Sequence, residues 1–149
     1  MKLYWYLVPI VLIAFVLLMW NVPVSTTTEV LPAVVNVTES GQLGIHMTKG
    51  PQKEFNFGGT YPGTYTTKTM NLTRGNAPPA FVHINVSGEI APLAEIDRND
   101  FLLDEHQAVK ITLIIPTDAE QGRYTGNVSV RYTVTYGKSL VHLIRKVIY

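Results

Sequence analysis

The chain contains no cysteine. That excludes disulfide frameworks, thiolate metal sites, thiol redox chemistry and cysteine nucleophiles together. Charge of one sign is also missing: 12 Lys and Arg stand against 11 Asp and Glu, a formal net charge of +1. A nucleic-acid-binding surface needs a basic excess, so no nucleic acid is expected as a partner. Histidine is sparse. His46, His83, His106 and His142 are scattered singly, and none has a second ligand-type residue at metal spacing on its own strand face, so no metal site is expected. There is no Gly-x-Ser-x-Gly elbow, glycine-rich phosphate loop or zincin motif. The chain therefore reads as non-enzymatic, with no catalytic residue and no cofactor. The densest group of hard oxygen ligands is Glu95, Asp97, Asp100, Asp104 and Glu105. It lacks the glycine and the spacing of a Ca²⁺ loop, and no aromatic platform stands nearby for a glycoside. It is expected to be a solvated acidic edge.

What the sequence does have is one long apolar run. Leu3 to Trp20 is 18 residues without a charge. As a helix it would be about 27 Å long, close to the thickness of a bilayer core. Tyr4, Trp5 and Tyr6 stand at one end and Trp20 at the other, as interfacial aromatic belts do. A cleaved secretory signal has a shorter apolar core and a small-x-small site, whereas Trp20-Asn21-Val22-Pro23 offers none. The reading is a retained transmembrane anchor over residues 1–20, contacting lipid through residues 3–20. Lys2 precedes the run and no charge follows it until Glu29, which places the N-terminus in the cytoplasm and the body outside the cell membrane. Residues 21–31 read as a short extended tether, and residues 32–149 as one extracytoplasmic domain.

From Pro32 onward the apolar residues recur with period two. Tyr124, Gly126, Val128, Val130, Tyr132, Val134 and Tyr136 alternate with polar residues over 13 positions, which predicts a long strand with one buried face. Val109, Ile111, Leu113 and Ile115 form a second inward set, and Val82, Ile84 and Val86 a third. Met70 with Leu72, and Val35 with Val37, supply two more. Shorter strands are expected at 43–47, 54–57, 93–96 and 101–103, with Gly- and Pro-rich turns between them. Many short strands with regular turns predict an all-β antiparallel sandwich or barrel.

One local motif sharpens the fold. Pro116-Thr117-Asp118-Ala119-Glu120-Gln121-Gly122-Arg123-Tyr124 joins two strong strands. It resembles the Asp-x-Gly-x-Tyr corner of immunoglobulin-like β-sandwiches, with a longer Asp-to-Gly spacing. The resemblance implies that Tyr124 bonds backwards to the corner formed around Asp118 and Gly122. The disulfide and core tryptophan of antibody-type domains are absent. An anchor, a tether and one sandwich together resemble small archaeal envelope proteins, including archaellum stator proteins of the F and G type. That likeness implies a sandwich that contacts a surface layer or filament outside the membrane.

Asn-x-Ser/Thr occurs four times, at Asn36, Asn71, Asn85 and Asn127, more often than eight asparagines would give by chance. Each Asn sits between two inward residues of its strand, so all four point outward as candidate glycosylation sites. Finally, Tyr136-Gly137-Lys138-Ser139 reads as a type II′ hairpin turn. The returning strand would then carry Leu140, His142, Ile144 and Ile148 on its solvent side as a protein-partner strip, unless residues 43–47 cover it. The expected function is a membrane-anchored scaffold that binds other envelope proteins, or itself. The alternative is a cleaved, secreted filament subunit that assembles by strand exchange.

Overall fold

The computed structural model describes residues 4–20, 22–39, 54–135 and 137. Among them one helix, α1 (Tyr4–Trp20), precedes eight strands. These are β1 (Pro23–Val37), β2 (Phe55–Thr60), β3 (Tyr65–Thr73), β4 (Ala80–Gly88), β5 (Ala94–Ile96), β6 (Phe101–Leu103), β7 (His106–Ile114) and β8 (Gly122–Thr135). A single 3₁₀ turn at Ala91–Leu93 leads into β5. The strands form two sheets, one ordered β2-β1-β8-β4-β6 and the other β3-β7-β5.

The core lies between them, where the period-two pattern puts it. Val35 and Val37 of β1, Val82 and Ile84 of β4, Val109, Ile111 and Leu113 of β7, and Val128 and Val130 of β8 are all buried. β-branched residues dominate this set, and they suit a pleated, covered face. Two side chains of β3 cross to the other sheet. Thr66 Oγ1 donates to the Phe57 carbonyl at 3.1 Å, and Lys68 Nζ donates to the Asn56 carbonyl at 2.7 Å. Lys68 also lies over the Phe55 ring, 5.0 Å from its centroid. The lysine is held below its ordinary value by burial, against the pull of Glu54 in the other direction.

The segment read as a tether is extended, but it is not free. Pro23–Leu31 is the first half of β1 and pairs antiparallel with β8, from Pro23 opposite Thr135 to Leu31 opposite Val128. The reason is compositional. Thr26, Thr27, Thr28 and Val30 are strand formers, and β8 supplies their ladder from about a hundred residues further along the chain.

The hairpin expected after β8, from Tyr136 to Ser139, lies outside the described residues apart from Gly137. From Phe81 opposite Thr133 to Gly88 opposite Gly126, β4 occupies one edge of β8. β1 occupies the other along its whole length. Both edges of β8 are therefore paired from Gly126 to Thr133. Gly137, the one described residue of the expected turn, is helical and buried.

One close contact between β4 and β8 constrains the shape of the sandwich. Gly88, at φ +86°, stands opposite Gly126. After β4 the chain turns, and Ile90, fully buried, folds over Gly126. A Cβ on Gly126 would run into the Ser87 carbonyl and come within 2.5 Å of Ile90 Cγ1. Ile90 thus fills the place that a side chain at position 126 would take.

Candidate functional site

The two sheets are unequal in length, and the mismatch makes a groove. The N-terminal half of β1 and the C-terminal half of β8 run on past the end of β3. Their inward faces, the end of β3 and the β3–β4 loop enclose about 730 Å³. Leu31, Met70, Leu72, Leu103 and Val130 make its apolar surface.

Two charged side chains, Glu29 and Arg74, and the Tyr132 phenol line this groove as well, beside Ser25, Thr27, Asn71 and Thr73. Register puts Thr27 opposite Tyr132 and Glu29 opposite Val130, so Glu29 and Tyr132 are diagonal neighbours on one face. The Tyr132 phenol is held above its ordinary value, first by burial and then by the Glu29 carboxylate beside it. Arg74 follows Met70 and Leu72 at the end of β3, and its backbone N–H donates to the Glu105 carbonyl at 2.9 Å. Its Nε is buried and has no hydrogen-bond partner among the described residues. An apolar groove with one carboxylate and one guanidinium is equipped to bind. Sequence reasoning placed Glu29 in the tether and gave Arg74 no role. Only Tyr132 carried a signal, as an inward member of the β8 alternation.

The acidic stretch divides into separate structural duties. Asp97 Oδ1 accepts from the Lys110 backbone N–H at 2.8 Å, and the Asp97 N–H donates to the Lys110 carbonyl at 3.0 Å. Asp100 Oδ1 lies 2.6 Å from Nδ1 of His83 in an exposed pair. Asn99 Nδ2 donates to the Ile84 carbonyl at 2.8 Å, while its Oδ1 accepts from the Ile84 N–H at 2.7 Å. The Asn99 amide thus acts as one more peptide on the edge of β4, beyond the short β6. Glu95, Asp104 and Glu105 are exposed. Among the described residues no three His, Cys, Asp or Glu side chains converge as metal ligands.

At the corner, the Tyr124 hydroxyl donates to the Glu120 carbonyl at 2.8 Å, four residues upstream. Asp118 is exposed in the turn between β7 and β8, and Gly122 opens β8. Asn36, Asn71, Asn85 and Asn127 are all exposed. Asn36, Asn127 and Asn85 stand on the adjacent strands β1, β8 and β4, with Asn127 opposite Ser87. Asn71 lies on β3 of the other sheet, opposite Ala108. Leu140, His142, Ile144 and Ile148, and the covering segment 43–47, lie outside the described residues, as do His46 and Tyr136.

α1 differs from every strand in its surroundings. None of its 17 residues is charged, its apolar residues run right round, and all side chains from Val8 to Trp20 are exposed. Among the described residues no helix reaches the length and apolarity needed to cross a membrane. No family model, curated protein or solved structure matches this chain.

Proposed function

We propose that this protein is a single-pass membrane protein whose β-sandwich stands outside the cell and holds other envelope proteins, without enzymatic activity. The observation that carries the reading is α1. A helix that is apolar on every side is stable only where something apolar covers all of it. Leu12, Ile13, Phe15, Leu17 and Leu18 are each more than half exposed. Among the described residues nothing covers them, and a bilayer would. The 17 described residues stand at the short end of the range of ~17–25 that spans a hydrocarbon core, and Leu3 continues the run. Lys2 supports a cytoplasmic N-terminus.

The corner bond of Tyr124 supports an immunoglobulin-like sandwich. Four exposed sequons support a glycosylated, extracytoplasmic surface. Anchor and sandwich together are the layout of an accessory subunit of a surface-layer or filament assembly, such as the archaeal envelope proteins the sequence resembles. The partner-binding role extends to self-association.

The second reading is a cleaved filament subunit. It is favoured by one observation: over Pro23–Pro32 the edge of β1 away from β8 pairs with no strand among the described residues. Ala33–Val37 is a poor donor strand for such a filament, because β2 and β8 flank it on both sides. Mass spectrometry of the mature N-terminus separates the readings. Retention of Met1 or Lys2 supports the anchor, and a start near Ser25–Glu29 supports the filament.

A further inference from the structure

β1 gives one edge to β8 and the other to β2, but β2 takes only part of it. That pairing runs from Ala33 opposite Phe55 to Val37 opposite Thr60. There β2 completes the sandwich, because its alternate side chains Phe55 and Phe57 turn inward and are buried in the core. Towards α1 the same edge continues over Pro23–Pro32 with no partner strand among the described residues. The groove opens along this stretch. Ser25, Thr27, Glu29 and Leu31 line it from β1. The groove therefore lies where the inward side chains of a strand continuing the line of β2 would stand.

A bare strand edge is a row of backbone donors and acceptors, which an extended chain satisfies and a small ligand does not. Pro32 shows which donors point that way. Within a sheet, proline is kept where its missing N–H faces away from the ladder. Pro32 stands opposite Asn127, in a register with β8 that is unbroken from Ser25 to Val37. Backbone groups of alternate residues share an edge, so Thr26, Thr28 and Val30 send their N–H groups to the open side with it. Charge adds a second requirement. Arg74 lines the groove but enters neither ion pair found among the described residues, His83 with Asp100 and Arg123 with Glu54. Its buried Nε has no hydrogen-bond partner among them.

We propose that the open edge of β1 takes an extended segment of a partner protein as an added strand. The segment's backbone pairs with Thr26, Thr28 and Val30. Its alternate apolar side chains fill the groove, as Phe55 and Phe57 fill the core beside β2. One acidic side chain among them meets Arg74. This inference rests on the reading of the sandwich as a holder of other envelope proteins, and it names the surface that does the holding. The backbone ladder supplies affinity, while the groove and Arg74 select the side chains.

The probe is a synthetic peptide, one β-strand long, that alternates valine with threonine and carries one central aspartate. It is added to the full chain in detergent, and backbone amide exchange is followed. In the chain alone Thr26, Thr28 and Val30 should exchange fast, while Thr27 and Glu29, turned toward β8, stay protected. The peptide should slow the first three. N-methylation of alternate peptide residues deletes donors and keeps the side chains. Tried on each parity in turn, it should weaken binding by roughly tenfold per methyl on one parity and leave the other unchanged. Arg74→Glu should shift the preference from the aspartate peptide to one with lysine in its place. Protection of Thr28 and Val30 in the chain alone, by its own residues or by a second copy, overturns the proposal. Absence of peptide binding, or binding that neither parity of methylation weakens, overturns it too. The underlying reading is tested apart: envelope proteins should co-purify with the wild-type chain and be displaced by the peptide. Co-purified proteins that the peptide leaves in place overturn this site alone. Absence of any co-purified envelope protein overturns the reading, and the site with it.

Discussion

Replacing Gly126 with alanine adds a single methyl group at a crowded backbone position of the sandwich. Two obstacles meet it. One is the Ser87 carbonyl, which belongs to β4 next to β8 and cannot rotate away. The other is Ile90 Cγ1 at 2.5 Å, about 1 Å inside an ordinary carbon contact. Ile90 is fully buried and has nowhere to swing. Overpacking of this kind costs about 1–3 kcal/mol, and a backbone obstacle argues for the upper end. Against it stands the smaller conformational freedom of alanine in the unfolded chain, about 0.4–1 kcal/mol. The net loss should be about 2 kcal/mol. With a urea slope of about 1–3 kcal/mol per molar, the midpoint should fall by about 1 M. The assay is urea unfolding of the detergent-solubilised full chain, followed by the strand signal in circular dichroism. Gly59→Ala is the control, because nothing lies within 4 Å of a Cβ there. Ile90→Ala should couple to Gly126→Ala, so that the double variant loses less than the two single losses together. A Gly126→Ala midpoint equal to that of Gly59→Ala would refute the reasoning and remove Ile90 from its assigned place.

Tyr124→Phe deletes only the hydroxyl that donates to Glu120, and should cost about 1 kcal/mol in the same unfolding assay, with the fold intact. Asn99→Ala leaves both backbone groups of Ile84 without their partner, so it should lower stability by about 1–3 kcal/mol and speed amide exchange at Ile84 above that of Val82. Tyr132 titrates above the ordinary tyrosine value, so the folded state favours the neutral phenol. The sign follows: stability is full below ~10 and falls as the pH climbs past it, because the unfolded chain releases that proton first. Glu29→Gln should bring the Tyr132 titration partly back down, leaving the part due to burial, as read from tyrosinate absorbance against a Tyr132→Phe subtraction. Occupancy of the sequons is checked by peptide mass after release of N-glycans, and Asn127→Gln should shift the intact mass by one glycan.

The strands whose alternation is long were legible without any structure. The alternating positions from Tyr124 to Thr135 lie in β8, and the inward sets around Val82, Val109 and Met70 are core residues of β4, β7 and β3. Such patterns are local, and the pleat alone decides them. What could not be read was pairing. Pro23–Leu31 carries threonines and valines that suit a strand and prolines that suit a linker, and only its non-local ladder with β8 decides between them. The hairpin after Tyr136 was a local inference from Gly137, and its returning strand lies outside the described residues. The groove was invisible for a related reason. It exists because β1 and β8 outrun β3, and lengths of opposed sheets are not encoded in any one segment. Asn99 gave no signal either, since an asparagine in an acidic loop looks like any solvated turn residue until Ile84 is placed beside it.

The measurement that bears most directly on the account is protease accessibility of the sandwich in intact cells, probed with an antibody tag between Asp118 and Gln121, an exposed corner. The account predicts that external protease removes the tag from intact cells, while a membrane-bound fragment carrying Met1 to Trp20 survives. Protection of the tag until the cells are lysed would contradict it.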